Sequence, residues 1–346
     1  MNTNQRRLLD ISRDKLVHIV PRLEVCGVLS FVYDVVGSMK DYYHVILHET
    51  DLKVPNDEIV TSFHGQGCDV LQVDRVTFEA IDALNATGAV FYNTVGQQYT
   101  GLGSVLPSVY YSYGMYDERV RTNLTVPCST YAATQLRSGQ RVQLDPDWVV
   151  PPFIDTRTLR RIAGSPNKFT VGLITSGYAG KYPYELYTHL LQTLPSDIRI
   201  LISMYDGMDT QFLSILAEAE KRRYPNILRC PVRHTGTLRY TVHADVVVHG
   251  SSADHYDPYG RTVVEAMAMG KIAICERRGV FGVAFEHAKD GLLFSSKDEV
   301  VEYVTWLRRD TSSRNQLAAN GQLWASWQDA SIHMSKLRRI LKIAGI

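Results

Sequence analysis

The chain has 346 residues, enough for two cores of ordinary size, and its 45% hydrophobic and 21% charged content excludes a disordered or fibrous chain. Its 37 basic and 36 acidic side chains leave a formal net charge of +1, so no overall field draws it to nucleic acid or to an anionic membrane. Five scattered cysteines (Cys26, Cys68, Cys128, Cys230, Cys275) without C-x-x-C spacing argue against a zinc ribbon, a redox motif or a disulfide framework, and are expected to be free thiols of a cytoplasmic protein.

The N-terminal run MNTNQRRLLDISRDK is polar and has no apolar signal core. Residues 25–37 form the longest apolar-leaning stretch; Asp34 interrupts it and it is too short to cross a bilayer, so no integral membrane segment is expected. Strands are expected at 45–48, 70–73, 89–92 and 109–112, and a helix at 77–86 with Gly88 as its C-terminal cap. His64, in SFHGQG, reads as a loop histidine, either solvated or reaching a ligand. The tyrosine-rich SVYYSYGMYDER (108–119) reads as a strand with its flanking loop, or as the lining of an acceptor site. The prolines of VVPPFID (149–155) cannot continue a helix or a central strand and mark a linker.

After the linker, strands at 169–175, 198–204, 226–230, 245–249 and 272–275 alternate with helices at 184–194, 210–223 and 261–269. That alternation implies a parallel sheet covered by helices on both faces. The tail 326–341 is helical, with Ile332, Met334, Leu337, Ile340 and Leu341 forming an apolar stripe. The expected architecture is therefore α/β with three parts: 1–150, 151–325 and a closing helix at 326–346. Two α/β domains of this kind leave a cleft at the carboxyl ends of their strands, where ligands bind.

The chemistry concentrates in ADVVVHGSSADHYDPYGRTVVEAMAMGKIAICE (244–276). A buried strand is followed by a loop of small and polar residues, then by a helix starting near Gly260, Arg261 and Thr262. Backbone N–H groups at a helix start suit a phosphate, and Gly260 would let a ligand approach the backbone. Asp257 before the helix and Glu265 within it bracket that start with two acceptors, which suits a nucleotide-sugar with its diphosphate between hydroxyl-rich rings. Ala266, Ala268 and Gly270 keep the helix thin enough to pack closely. The plainer reading makes 257–260 a simple turn and Glu265 an exposed helix residue. A glycosidase built on these two acids fits less well, because they flank a helix start rather than a scissile bond. His249 reads equally well as a core histidine, and His255 lacks the spaced partners a metal needs.

DPYGRTVVEAMAMG (257–270) resembles the signature of family-four retaining glycosyltransferases (group 1 glycosyltransferases), E-P-[FY]-G-x-x-x-x-E-A-M-A-x-G, with Asp in place of the first Glu. The resemblance extends to Ala244-Asp245, to Asp290-Gly291-Leu292-Leu293, to VVPPFIDTRTL and to Ser326-Trp327, and covers roughly residues 145–346. It implies the GT-B fold: two Rossmann-like domains facing a cleft, an acceptor domain and a donor domain, with a C-terminal helix crossing back to the first. It also implies a hexosyltransferase-type enzyme that moves a sugar from a UDP- or GDP-sugar such as UDP-glucose with retention of configuration. No metal and no cofactor beyond the donor co-substrate are implied, and the acceptor is left open among small molecules, lipids, polysaccharide and other macromolecules.

By the same resemblance Glu265 would hold the ribose hydroxyls, and Asp257 the donor sugar with help from the backbone of Tyr259, Gly260 and Arg261. Thr262, Ser176 and Gly177 would complete the donor-binding set, Gly177 alternatively serving only the turn. Lys181 would neutralise the leaving diphosphate. The family's partner Arg falls on about Ser176 and is missing, with Arg261 or Arg277 as substitutes. His64 matches a first-domain loop that reaches the donor sugar, and Glu286 an acceptor-side Glu. The alternatives are a phosphorylase or epimerase on the same scaffold, or a catalytically weak nucleotide-sugar-binding protein.

Overall fold

The computed structural model describes residues 14–20, 23, 27–49, 57–92, 106–112, 122–139, 146–162, 164, 167–175, 181–205, 207–231, 238–253 and 255–346. Contacts divide the chain into two compact units, Ile154–Asp329 forming one and the remainder, which includes Ala330–Ile346, the other.

The first unit contains β1 (Lys15–Ile19), α1 (Gly27–Ser38), β2 (Tyr43–Glu49), α2 (Asp57–Gly65), β3 (Asp69–Val73), α3 (Phe78–Asp82), β4 (Gly88–Tyr92), β5 (Ser108–Ser112), β6 (Leu124–Pro127) and α4 (Thr130–Gly139). Its six strands are parallel in the order β3-β2-β1-β4-β5-β6. β1 and β4 are buried along their whole lengths, as strands covered on both faces must be. β1 lies at the end of a polar run, so its KLVHI gives little hydrophobic signal.

The expected helix at 77–86 is a short one, α3, capped by Thr77, whose hydroxyl accepts from the Ala80 N–H. Gly88 does not cap it. Gly88 opens β4, and a Cβ there would lie 2.4 Å from the Ile346 side chain, so glycine is required for close packing. The apolar run at 25–37 largely becomes α1, and among the described residues no helix is long and apolar enough to cross a membrane. Tyr110 and Tyr111 are fully buried, the Tyr111 hydroxyl donating to the Val150 carbonyl at 2.5 Å; these two tyrosines belong to the core. Residues 113–120 lie outside the described set.

A buried hydrogen-bonded chain crosses this sheet. His44 Nε2 lies 2.7 Å from the Met39 carbonyl, His18 Nε2 lies 2.8 Å from His44 Nδ1, and the Tyr92 hydroxyl lies 2.9 Å from His18 Nδ1. A carbonyl can only accept, so each proton is placed in turn: Tyr92 donates to His18, His18 to His44, and His44 to Met39. Both imidazoles are thereby neutral and satisfied.

The second unit runs α5 (Thr156–Ile162), β7 (Thr170–Leu173), α6 (Tyr184–Thr193), β8 (Arg199–Met204), α7 (Thr210–Arg223), β9 (Ile227–Pro231), α8 (Leu238–Thr241), β10 (Val246–His249), α9 (Arg261–Ala268), β11 (Ile272–Glu276), α10 (Phe281–Ala284), β12 (Leu292–Phe294), α11 (Lys297–Arg309) and α12 (Thr311–Ser326). Its parallel sheet reads β12-β11-β10-β7-β8-β9, the same doubly wound order as the first when each is counted from its own first strand. Local chemistry sets the helix ends: Asp209 caps α7 through the Phe212 N–H, and Ser296 caps α11 through the Glu299 N–H. Lys221, Arg222 and Arg223 fill the last turn of α7, where cations meet the helix dipole.

The expected single tail helix is interrupted. α12 ends at Ser326, and the last helix spans Ala330–Ala344 within the first unit. Its Leu337, Ile340, Leu341 and Ala344 are buried, whereas Ile332 is exposed. The break is pinned within the second unit, where Asp329 accepts from both the N–H and the hydroxyl of Thr156.

Candidate functional site

β7 and β10 are neighbours at the centre of the second sheet, with Val246 opposite Val171 and Val247 opposite Gly172. The chain leaves β7 toward β8 on one side and leaves β10 toward β11 on the other, so their loops diverge at the carboxyl edge. This topological switch point is where doubly wound sheets bind ligands. Lys181 follows β7 and Asp257 follows β10, and their charged groups meet there at 2.9 Å.

The Asp257 carboxylate is almost fully engaged within the protein. One oxygen accepts from the Tyr259 and Gly260 N–H groups at 3.2 and 2.6 Å. The other accepts from Lys181 Nζ at 2.9 Å and from His249 Nε2 at 3.2 Å. The Val280 N–H holds the Asp257 carbonyl from the loop after β11. Burial by itself would raise this carboxyl's pKa; the Lys181 charge and then the His249 hydrogen bond outweigh burial and hold it well below the ordinary carboxylate value.

Two expectations change accordingly. The N–H groups of Tyr259 and Gly260, expected to assist a donor, are committed to Asp257. The shorter acid places its carboxylate over its own turn. Glycine at 260 is required by packing inside the protein. Its φ is +70°, and an added Cβ would lie 2.0 Å from the Phe281 ring. Phe281 also packs edge-on to His249 with ring centroids 5.2 Å apart. Gly260→Ala is therefore expected to destabilise the second unit by roughly 2–5 kcal/mol, from left-handed backbone strain plus overpacking. A urea midpoint within experimental error of wild type would contradict this.

Glu265 is buried rather than an exposed helix residue, and its Oε1 accepts from Arg261 Nε at 2.7 Å. Thr262 and the rest of α9 through Ala268 are buried as well, against the sheet and α12. Arg261, considered as a substitute for the missing phosphate cation, lies along its own helix to Glu265. Arg277 is exposed at the end of β11. Arg278, which the sequence did not single out, donates to the carbonyls of Ser251, Ser252 and Ala253 and so fixes the loop after β10.

Of the remaining candidates, Ser176 and Gly177 lie outside the described residues. His64 is in the last turn of α2 rather than in a loop, and is exposed. Glu286 is exposed and paired with Lys289. Burial and then the nearby Lys181 charge lower the His255 pKa. Among the described residues, no group of three His, Cys, Asp or Glu side chains could hold a metal ion. Cys68, Cys128, Cys230 and Cys275 are buried thiols outside any disulfide, and Cys26 lies outside the described residues.

Residues 234–324 match the family model for glycosyl transferases group 1. The alpha-monoglucosyldiacylglycerol synthase of Acholeplasma laidlawii is 26% identical over 140 residues, which is 40% of this chain and 34% of that protein, so the matched region spans about a third of the relative's length. Anabaena HepE, solved in complex with UDP and glucose, superposes with a TM-score of 0.74 at 17% identity over 95% of this chain and 100% of that one. Sucrose-phosphate synthase from Thermosynechococcus elongatus superposes with a TM-score of 0.66 at 14% identity over 96% and 100%. The chain thus has the GT-B fold, and its segment 234–324 is similar to the group 1 glycosyl transferases.

Proposed function

We propose that the chain is a hexosyltransferase that moves a sugar from a nucleoside-diphosphate donor to an acceptor with retention at the anomeric carbon and without a metal ion. The observation that carries this reading is the pairing of Lys181 with Asp257 at the switch point, beside the start of α9 and Glu265. A cation there meets a diphosphate, and a buried carboxylate on the adjoining helix accepts ribose hydroxyls. UDP-sugars are the first donors to test, because HepE was solved with UDP and glucose; GDP-sugars come next. Free buried thiols fit a reducing compartment such as the cytoplasm.

In the proposed reaction the bond between the anomeric carbon and the diphosphate oxygen breaks, and an acceptor oxygen bonds to the same face of the sugar, its proton passing to the leaving diphosphate. Lys181 meets the negative charge that grows on the leaving diphosphate, an electrostatic contribution that is larger in the transition state than in the ground state. Asp257 holds Lys181 and the turn leading into α9.

The test is incubation of the protein with UDP-, GDP- and ADP-sugars and a cell extract, with and without EDTA. The expected result is release of a nucleoside diphosphate and appearance of the sugar on an acceptor with its configuration retained, at the same rate in EDTA. Formation of a sugar phosphate from orthophosphate would identify a phosphorylase, and donors left intact would identify a binding protein. Full loss of activity in EDTA would refute the metal-free reaction.

A further inference from the structure

His249 is a buried polar residue at the end of β10, 3% exposed, and the proposed reaction assigns it nothing. Its Nε2 lies 3.2 Å from the Asp257 oxygen that also receives Lys181. A carboxylate can only accept, so Nε2 carries a proton. Nδ1 is buried and has no hydrogen-bond partner among the described residues. A strand of valines ends here in an imidazole with one nitrogen unsatisfied, an arrangement that costs free energy and that a role for Nε2 would account for.

We propose that His249 is a positioning residue that holds the Asp257 carboxylate so that Lys181 can leave it for the diphosphate of a bound nucleotide. The inference rests on the donor reading above. The Lys181 ammonium has three N–H donors, and the more closely it is held by Asp257 the less of its charge is available to a phosphate. When the ammonium turns to the phosphate, Asp257 remains a buried anion. The Tyr259 and Gly260 N–H groups serve its far oxygen, and His249 then serves the near one. Without His249, that oxygen would be left bare and would keep its grip on Lys181, so the nucleotide would have to compete with a stronger pair.

The test is a double-mutant cycle read as the dissociation constant of a nucleoside diphosphate, measured by calorimetry, the titrant being whichever of UDP, GDP and ADP binds wild type. His249→Leu is expected to weaken binding about tenfold, and His249→Gln, which keeps an N–H near the Nε2 position, by no more than about threefold. Asp257→Asn removes the charge that holds Lys181 while keeping an oxygen toward the turn. It is expected to bind at least as tightly as wild type, and adding His249→Leu to it should change affinity less than twofold.

A merely structural histidine would cost the same in both backgrounds, and that result would overturn the inference. So would a glutamine variant no better than leucine, or loss of all binding in Asp257→Asn. If His249→Leu does not melt cooperatively, His249→Asn takes its place, since its amide reaches only as far as Nδ1. Failure of wild type to bind any of the three nucleotides would instead remove the donor reading, and this inference with it.

Discussion

Glu265→Ala is expected to weaken donor binding at least a hundredfold. In the proposed complex the carboxylate accepts from the hydroxyls of the ribose. Hydrogen bonds to a charged acceptor contribute about 1.5–3 kcal/mol each, so two of them correspond to about 10²–10⁴ in affinity. The substitution also leaves Arg261, now paired at 2.7 Å, without this carboxylate, and some loss of stability must accompany it. The two effects separate experimentally. Melting temperature reports the fold, and titration with the donor well below that temperature reports the site. Glu265→Gln keeps an acceptor for Arg261 but loses the charge, and is expected to fall between wild type and Ala. A folded Glu265→Ala variant with a wild-type dissociation constant would remove Glu265 from the donor site.

Acidification below about pH 6.5 is expected to destabilise the first unit. His18 and His44 sit in the one-directional chain from Tyr92 to Met39, and a proton added to either imidazole forces the chain to reorient, the Tyr92 hydroxyl turning from donor to acceptor. Burial lowers the pKa of both; for His18 the neighbouring His44 charge adds to it, and for His44 the Met39 carbonyl opposes it. Lys40 and Arg338 lower His44 further and Asp41 raises it, the Arg338 and Asp41 charges being paired with each other. His48, on the same strand as His44, is shifted downward by burial as well.

A folded-state value below the unfolded one means that the unfolded chain takes up the proton first. Stability is therefore intact above about pH 6.5 and is lost as pH falls from there toward the folded-state values, by at most about 1.4 kcal/mol per pH unit for each histidine. Urea unfolding of the first unit at pH 7 and at pH 5.5 measures this. Replacing His18 and His44 together by leucine should flatten the dependence, and an unchanged midpoint in wild type would exclude the account.

The second unit was legible in the sequence because each local signal agreed with the next. Apolar runs at 169–175, 198–204 and 245–249 became β7, β8 and β10, and Thr210–Arg223 is helical from its Asp209 cap to its basic last turn. Strands buried on both faces must be almost wholly apolar, so composition alone locates them. The first unit was harder. β1 lies in a charged leader, α3 is only one turn, and Gly88 served tight packing rather than a cap.

DPYGRTVVEAMAMG pointed to the candidate site, because a helix start, a nearby acid and an internal Glu are adjacent in the chain. The partners of those residues are not. Lys181 stands 76 positions before Asp257, and only the parallel pairing of β7 with β10 brings the two loops to one edge. His249 looked like any residue closing a buried strand until the return of the loop placed Asp257 against it. Local spacing determined where the two acids stand about the start of α9. The tertiary structure decided where the charges went: the turn draws the Asp257 carboxylate onto its own N–H groups, and a buried charge must take its partners from whatever the fold brings within hydrogen-bonding distance.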